Sequence, residues 1–526
     1  LDDMLATTSS AMLGLTIACA RCHDHKYDPI PARDYYQLLS IFTPSARKQA
    51  FMCGLEDSIR STSLENEWKP PLNEAKRDLD HLDHPYREEI QKEKIAALPI
   101  SASEKELLLA PRDNENAPQR HLFEMFGGAI HPRDHEVKER MSEAELAERD
   151  RLLEEIRGWE AKLATLPPKA LTLTDKQDEP IESYFLARGD PKNKKETIQP
   201  GFLTVLKPDN SSLWDAYAEV ESGKTTGRRT VLAEWITDPD NGAGHLAARV
   251  IVNRVWQHHL GQGLVRTPSD FGIQGQPPTH PDLLDWLATK FIEDGWSLKK
   301  MHKRILLSAV YQQDSTFDES KLRVDPDNRL WWRREPLRVE SDILRDSMLA
   351  VAGNLNRRMF GPGVKPRLHP DLIATGSTQK WPTLEEDGPE TWRRSIYIFI
   401  RRSVLMPLLT VFDGPDATQS CARRQTTTIP LQSLELLNDR FARQQAESLA
   451  TRLEAEVGGD AKSQIDQAFW LTLSRAPEES EEKNSLAFLE TQKGEYEESG
   501  SAIPKGDALV DFCQAMMNLN EFVYVD

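Results

Sequence analysis

Leu13-Gly14-Leu15-Thr16-Ile17-Ala18-Cys19-Ala20-Arg21-Cys22-His23-Asp24-His25-Lys26-Tyr27-Asp28-Pro29-Ile30 is the stretch on which the reading of this chain turns. Cys19, Cys22 and His23 spell C-x-x-C-H, the attachment sequence of a c-type haem. Two thiols at that spacing can add to the two vinyl groups of a haem, and the adjacent imidazole can bind its iron. The same donors suit zinc. With His25 they make a Cys₂His₂ set of Cys19, Cys22, His23 and His25, in which adjacent Cys22 and His23 crowd a tetrahedron. A disulfide-forming loop is the third reading. Asp24 and Asp28 can orient an imidazole N–H from outside the ligand set. For the opposite face of a haem iron, Met52, His81 and His84 are available downstream, and spacing selects none. Met52, between Phe51 and Cys53, reads as a core residue.

Outward from the motif, Met4, Leu5, Met12, Leu13, Leu15 and Ile17 supply a helical apolar pattern before it. Asp24 to Pro31 forms a turn, and Ala32 to Phe42 returns to helical spacing. Residues 68–167 are dense in Glu, Lys and Arg. Leu152, Ile156, Trp159, Leu163 and Leu166 recur in heptad steps, which with Tyr86 to Leu98 predicts two long helices packed as an antiparallel hairpin. After Pro167-Pro168, Ala170–Leu173, Ser183–Ala187 and Val205-Leu206 have strand character. They make residues 168–210 a small β module, part of a sandwich. From 225 to 526 the pattern is helical: Val231–Ile236, Ala247–His259, Pro281–Asp294, Leu298–Tyr311, Val339–Asn354, Leu431–Glu456, Ala461–Leu473, Glu478–Gln492 and Ala508–Asn518. Ser395–Ile400, alternating Ile with Tyr and Phe, reads as a strand. The predicted fold class is a mainly α multidomain protein: a helical segment around the motif, a helical hairpin, a small β module and a large α-helical C-terminal domain.

Composition bounds the partners. The 526 residues carry a net charge of −18, which argues against a general nucleic-acid binder. No apolar run is long enough for a transmembrane segment. Cysteines number 5, too few for a disulfide framework. The chain opens on Leu1 with no signal peptide ahead of it, which reads as a fragment or processed chain.

Several motifs are familiar. Leu13–Thr16 running into Cys19–Ile30 resembles the planctomycete cytochrome-c-like domain, here its C-terminal part over residues 1–50. Asn253-Arg254-Val255-Trp256-Gln257-His258, Gly263-Leu264-Val265, Asp270-Phe271-Gly272 and Pro277–Pro281 resemble the planctomycete-specific secreted domain of unknown function. So do Arg394–Tyr397, Phe412-Asp413, Thr428–Gln432 and Asn518–Phe522. The resemblance implies a large exported bacterial protein, periplasmic or extracellular. The expected function is haem binding and electron transfer, with covalent haem c on Cys19 and Cys22, His23 on the iron, and a redox partner protein. The alternative is a non-redox exported scaffold with structural zinc or a disulfide at the same cysteines. Its Trp and Tyr residues would suit an extracellular polysaccharide.

Other clusters are weighed on spacing alone. His258, His259 and His280 could join Asp270 or Asp282 in a metal or hydrolytic site, or simply cap and pack. Asn253 and Arg254 fit buried bonding roles. Asp413, Asp416, Arg423 and Arg424 could line a polar pocket with Arg394. Cys421 lacks the surroundings of a nucleophile. No hydrolase, phosphate-loop or dinucleotide fingerprint is present, so no catalytic residue is assigned.

Overall fold

The computed structural model describes residues 1–111, 116–175, 182–206, 226–369, 372, 381–382, 384–402, 405–418 and 420–525. The last residues of the expected β module, 207–210, and residue 225 lie outside that range. The chain is mainly helical and multidomain, as its periodicity predicts. The first 42 residues form α1 (Asp2–Thr8), a π-turn (Ser9–Leu13), a 3₁₀ turn (Ile17–Arg21) that carries Cys19, and α2 (Ala32–Phe42). Their apolar faces do not close a core by themselves. Leu5, Leu13, Ile17, Tyr35, Tyr36 and Ile41 share one buried cluster with Phe202, Leu203, Val231, Trp235 and Ala247 from far along the chain. Phe202 stacks on Trp235 with ring centroids 4.6 Å apart.

Strand β1 (Ser45–Phe51) then leads out of this core, and β2 (Lys169–Asp175) leads back, antiparallel, pairing Ser45 with Asp175 and Phe51 with Lys169. Between them projects a helical arm: α3 (Leu55–Ala97), α4 (Ala102–Leu109), α5 (Ala117–Ile130), α6 (Asp134–Lys138) and α7 (Glu143–Ala164). The heptad residues of α7 pack on α3, but on an earlier stretch than the expected Tyr86–Leu98, whose Tyr86 and Ile90 pack instead on Val137 and Met141. Leu152 and Ile156 of α7 are buried against Leu72 and Ala75 of α3, with Trp159 and Leu163 packed beside them. Helix α3 starts at Leu55, ahead of the expected 68, and runs 43 residues through Pro70, Pro71 and Pro85. Interior prolines cost a helix roughly 3 kcal/mol each. Here packing on α7 and a fully buried Asp83 paired with Arg149 (Nε–Oδ1 2.9 Å) offset that cost.

The β module differs from expectation. β2 pairs with β1, while β3 (Ser183–Leu186) and β4 (Lys194–Ile198) make a separate hairpin. The described sheets are two-stranded ribbons, with no sandwich among the described residues. Val205-Leu206 is no strand, because Leu206 turns back to donate to the Leu203 carbonyl at 3.2 Å.

In the C-terminal half, α8 (Arg228–Thr237) and α9 (Gly244–Leu260) pack on the N-terminal core, and α9 also packs on α10 (Pro281–Glu293) and α11 (Leu298–Leu306), around Trp256, Leu264, Leu287, Phe291 and Met301. After the short α12 (Glu319–Val324), a third core gathers α13 (Ser341–Val351), α14 (Pro407–Val411), α15 (Pro430–Asn438), α16 (Arg440–Val457), α17 (Ala461–Leu473), α18 (Glu479–Glu498), α19 (Pro504–Met517) and α20 (Asn520–Val523). The expected helix Leu431–Glu456 is two, divided at Asp439, whose carboxylate caps α16 by accepting the Phe441 N–H at 2.8 Å. The first half of the expected strand Ser395–Ile400 is a 3₁₀ turn (Ser395–Tyr397), and only Ile398 pairs as a strand would, in an isolated bridge to Val364. The N–H and hydroxyl of Ser395 both go to Asp346 at 2.7 Å, so a side chain takes the bonds a neighbouring strand would have taken. No described helix is long and apolar enough to cross a membrane.

Candidate functional site

The motif lies on a surface turn between the 3₁₀ segment and α2. Cys19, Cys22 and His23 are exposed, and both cysteines are free thiols. The other polar residues of the motif are committed to holding the turn. The Asp24 carboxylate accepts the Ala32 N–H at 2.8 Å, at the start of α2. His25 Nδ1 accepts the Asp28 N–H at 2.8 Å. Its Nε2 therefore carries the proton and donates to Thr16 Oγ1 at 3.2 Å. Asp28 is buried and accepts the Ile273 N–H at 2.7 Å.

His23 is set differently. Its Nδ1 lies 2.6 Å from the Asp24 carbonyl oxygen. A carbonyl only accepts, so Nδ1 carries the proton and the Nε2 lone pair of the neutral ring stays free. The ring is thereby oriented by its own turn, next to Cys22 and with both thiols of the motif exposed.

The four-ligand zinc set is not assembled. Both ring nitrogens of His25 are already in use within the turn. Among the described residues no three His, Cys, Asp or Glu side chains are grouped to hold a metal ion. Met52, expected in a core, is 65% exposed at the root of the arm, and His81 and His84 sit exposed on α3.

The turn is clamped from behind. Tyr36 OH donates to the carbonyls of Arg21 (2.7 Å) and Leu186 (3.2 Å), tying the C-x-x-C segment to the β3–β4 hairpin. Tyr35 OH donates to Asp2, which also holds Arg21 at 3.1 Å. Burial pushes both tyrosine hydroxyls up from their ordinary value, so they remain donors. Gly189, at φ +73°, lets the hairpin turn lie against Cys22, where a Cβ would come within 3.0 Å of the sulfur. No sequence signal announced Gly189, Tyr36 or Asp2 as neighbours of the motif.

The remaining candidates resolve individually. His258 and His280 do not pair with His259. Its Nε2 meets His302 Nδ1 at 2.7 Å instead, and His280 bonds Thr279. Asp270 is spent on the Gly272 N–H at 2.9 Å. Asn253 bonds both N–H and C=O of Val265, and Arg254 reaches the carbonyls of Ser10 and Ala11, so both are structural. Arg394, Asp416 and Arg424 do line a common cavity of about 630 Å³, together with Asp342, Asp346 and Cys421. Asp413 instead binds Arg338 at 2.6 Å and Thr427. Trp286 on α10 and Trp470 on α17 are exposed, but their helices belong to different cores.

Two family models match this chain. Residues 1–47 match PSCyt2, described as a protein of unknown function (DUF1549). Residues 228–489 match PSD1, described as a protein of unknown function (DUF1553). No curated protein and no solved structure matches. The PSCyt2 segment therefore carries the motif, and the PSD1 segment supplies Arg254 and Ile273, which hold that motif's turn in place.

Proposed function

We propose that the chain is an exported, c-type-cytochrome-like electron carrier. Cys19 and Cys22 would hold haem through thioether bonds, and His23 Nε2 would serve as an axial ligand. A haem held there supplies a reversible one-electron couple. The chain's own part is to fix the attachment turn and keep the imidazole oriented. The observation that carries the reading is the division of labour within the motif. Asp24, His25 and Asp28 are consumed by the turn, whereas Cys19, Cys22 and the Nε2 of His23 are left exposed and uncommitted.

The test is production in the periplasm of cells with a c-type maturation system, followed by a pyridine haemochrome spectrum. A c-type spectrum, lost in the Cys19→Ser/Cys22→Ser variant, is expected, together with one haem's added mass on the peptide spanning residues 19–23. A colourless protein from competent cells overturns the reading. Stoichiometric zinc in the same sample would point to a structural site instead.

A further inference from the structure

The β3–β4 hairpin that lies against Cys22 is basic in a chain of net charge −18. Residues 187–195, its turn and the start of β4, carry Arg188, Lys192, Lys194 and Lys195 against the single carboxylate Asp190, and all four cations are exposed. Asp190, itself exposed, accepts the Lys192 N–H at 2.9 Å within the loop. Lys194 stacks over Tyr184 at 4.5 Å. Glu196 is taken by Arg33 at 3.4 Å. Arg188, Lys192 and Lys195 have no ion-pair partner among the described residues. The patch does not float free. Tyr36 and the Arg21–Gly189 contact (3.5 Å) fix it to the cysteine turn.

We propose that this basic turn is the docking surface for an acidic electron-transfer protein, held so that the partner meets the Cys19–His23 edge. The inference rests on the haem reading of that edge. Opposite charges steer encounter and set orientation, while the rest of a −18 surface repels the same partner. The patch thus confines productive approach to one side of the molecule.

The test compares charged and neutral probes at the motif, in a Cys53→Ser/Cys421→Ser background so that Cys19 and Cys22 are the accessible thiols. In haem-loaded protein the probe is hexacyanoferrate(III), which takes one electron from the reduced protein and becomes hexacyanoferrate(II). In colourless protein it is the dianionic disulfide dithiobis(nitrobenzoate), with neutral dithiodipyridine as reference. A cysteine thiolate attacks one sulfur, forming a mixed disulfide and releasing the other half as a thiolate. The haemochrome spectrum reports separately which arm applies, so a failed haem reading is not mistaken for a failed docking surface.

Either anionic probe is expected to react faster at low salt and slow as salt rises. Lys192→Glu/Lys194→Glu/Lys195→Glu should cut its rate by about tenfold and reverse that salt dependence. The Lys→Arg triple should keep wild-type behaviour. Rates that follow the net negative charge in wild type, or stay unchanged in the Glu triple, overturn the proposal. Lysine-dependent retention on dextran sulfate with unchanged rates at the motif also overturns it, assigning the patch to a polyanionic glycan.

Discussion

The buried carboxylate of Asp28 accepts the backbone N–H of Ile273 at 2.7 Å across 245 residues of sequence. A side chain on Gly272 would meet that carboxylate at 2.4 Å, so the loop can approach only with glycine there. Gly14 repeats the arrangement, with its carbonyl accepting the Phe271 N–H at 2.7 Å. The PSCyt2 and PSD1 segments are therefore packed as one unit around the motif turn, although the two matches lie far apart in sequence.

Asp28→Ala should destabilise this unit by about 1.5–3 kcal/mol, the range for losing a charge-assisted hydrogen bond. Gly272→Ala should cost at least as much, because the added Cβ displaces the Asp28 carboxylate from its place against the loop. Urea unfolding followed by tryptophan fluorescence reads both. Wild-type midpoints in both variants would show that the two segments are not coupled through this contact.

The same contact shows where sequence reading ends. The helices Ala461–Leu473 and Pro281–Glu293 were legible almost to the residue, because each buries one face and carries the corresponding period. The motif was legible because its spacing is chemical. That Asp24, His25 and Asp28 serve the turn while His23 stays free was not, since Asp28 answers to a partner 245 residues away. Ile396, Ile398 and Ile400 alternate like a strand, yet Ile396 is 77% exposed. The local pattern there yielded to buried Arg345 and to Asp346, which capture the backbone and side-chain groups of residues 391–395. His302 could not be paired with His259 from sequence, because nothing local links α9 to α11.

That histidine pair predicts a pH dependence. Burial, and then the neighbouring His302, Arg334 and His258, hold the pKa of His259 below its ordinary value. Tyr311 packs edge-on from the loop after α11, and Arg334 lies over that ring. A folded-state pKa below the unfolded one means the unfolded chain binds more protons in the window between them. Stability from this group is present above about pH 6.5 and is lost as pH falls through the depressed folded value. The urea midpoint should drop between pH 7 and 5, and His259→Gln should flatten that slope. An unchanged slope in the variant would assign the loss to other groups.

In the arm, Arg149 holds Asp83 through Nε (2.9 Å) and Nη2 (3.2 Å), both side chains buried. Arg149→Ala removes two charged donors from the buried Asp83 carboxylate, leaving Arg87 Nη2 at 2.8 Å, and should cost the arm about 1.5–3 kcal/mol. Replacing both partners, as Asp83→Leu/Arg149→Met, should recover most of the loss. Limited proteolysis within residues 55–164 checks this, since the single variant should be cut far faster than either wild type or the pair. Equal cutting of the single and double variants would mean that the ion pair is not what closes the arm.

The arm itself should be removable. Its buried clusters draw on residues between Leu72 and Leu163, apart from the core around the motif. Its two ends meet as neighbouring strands, with Met52 donating to the Pro168 carbonyl at 2.8 Å. Replacing residues 53–167 with Asn-Gly, the turn that best joins antiparallel strands, should leave β1 and β2 paired and the rest folded. The shortened chain is expected to keep a cooperative urea transition and, under the proposed function, the same haemochrome spectrum. Loss of both would show that the arm is needed to build the motif's surroundings. Loss of the spectrum with folding intact would place a haem contact on the arm, where His81 and His84 would be the first residues to replace.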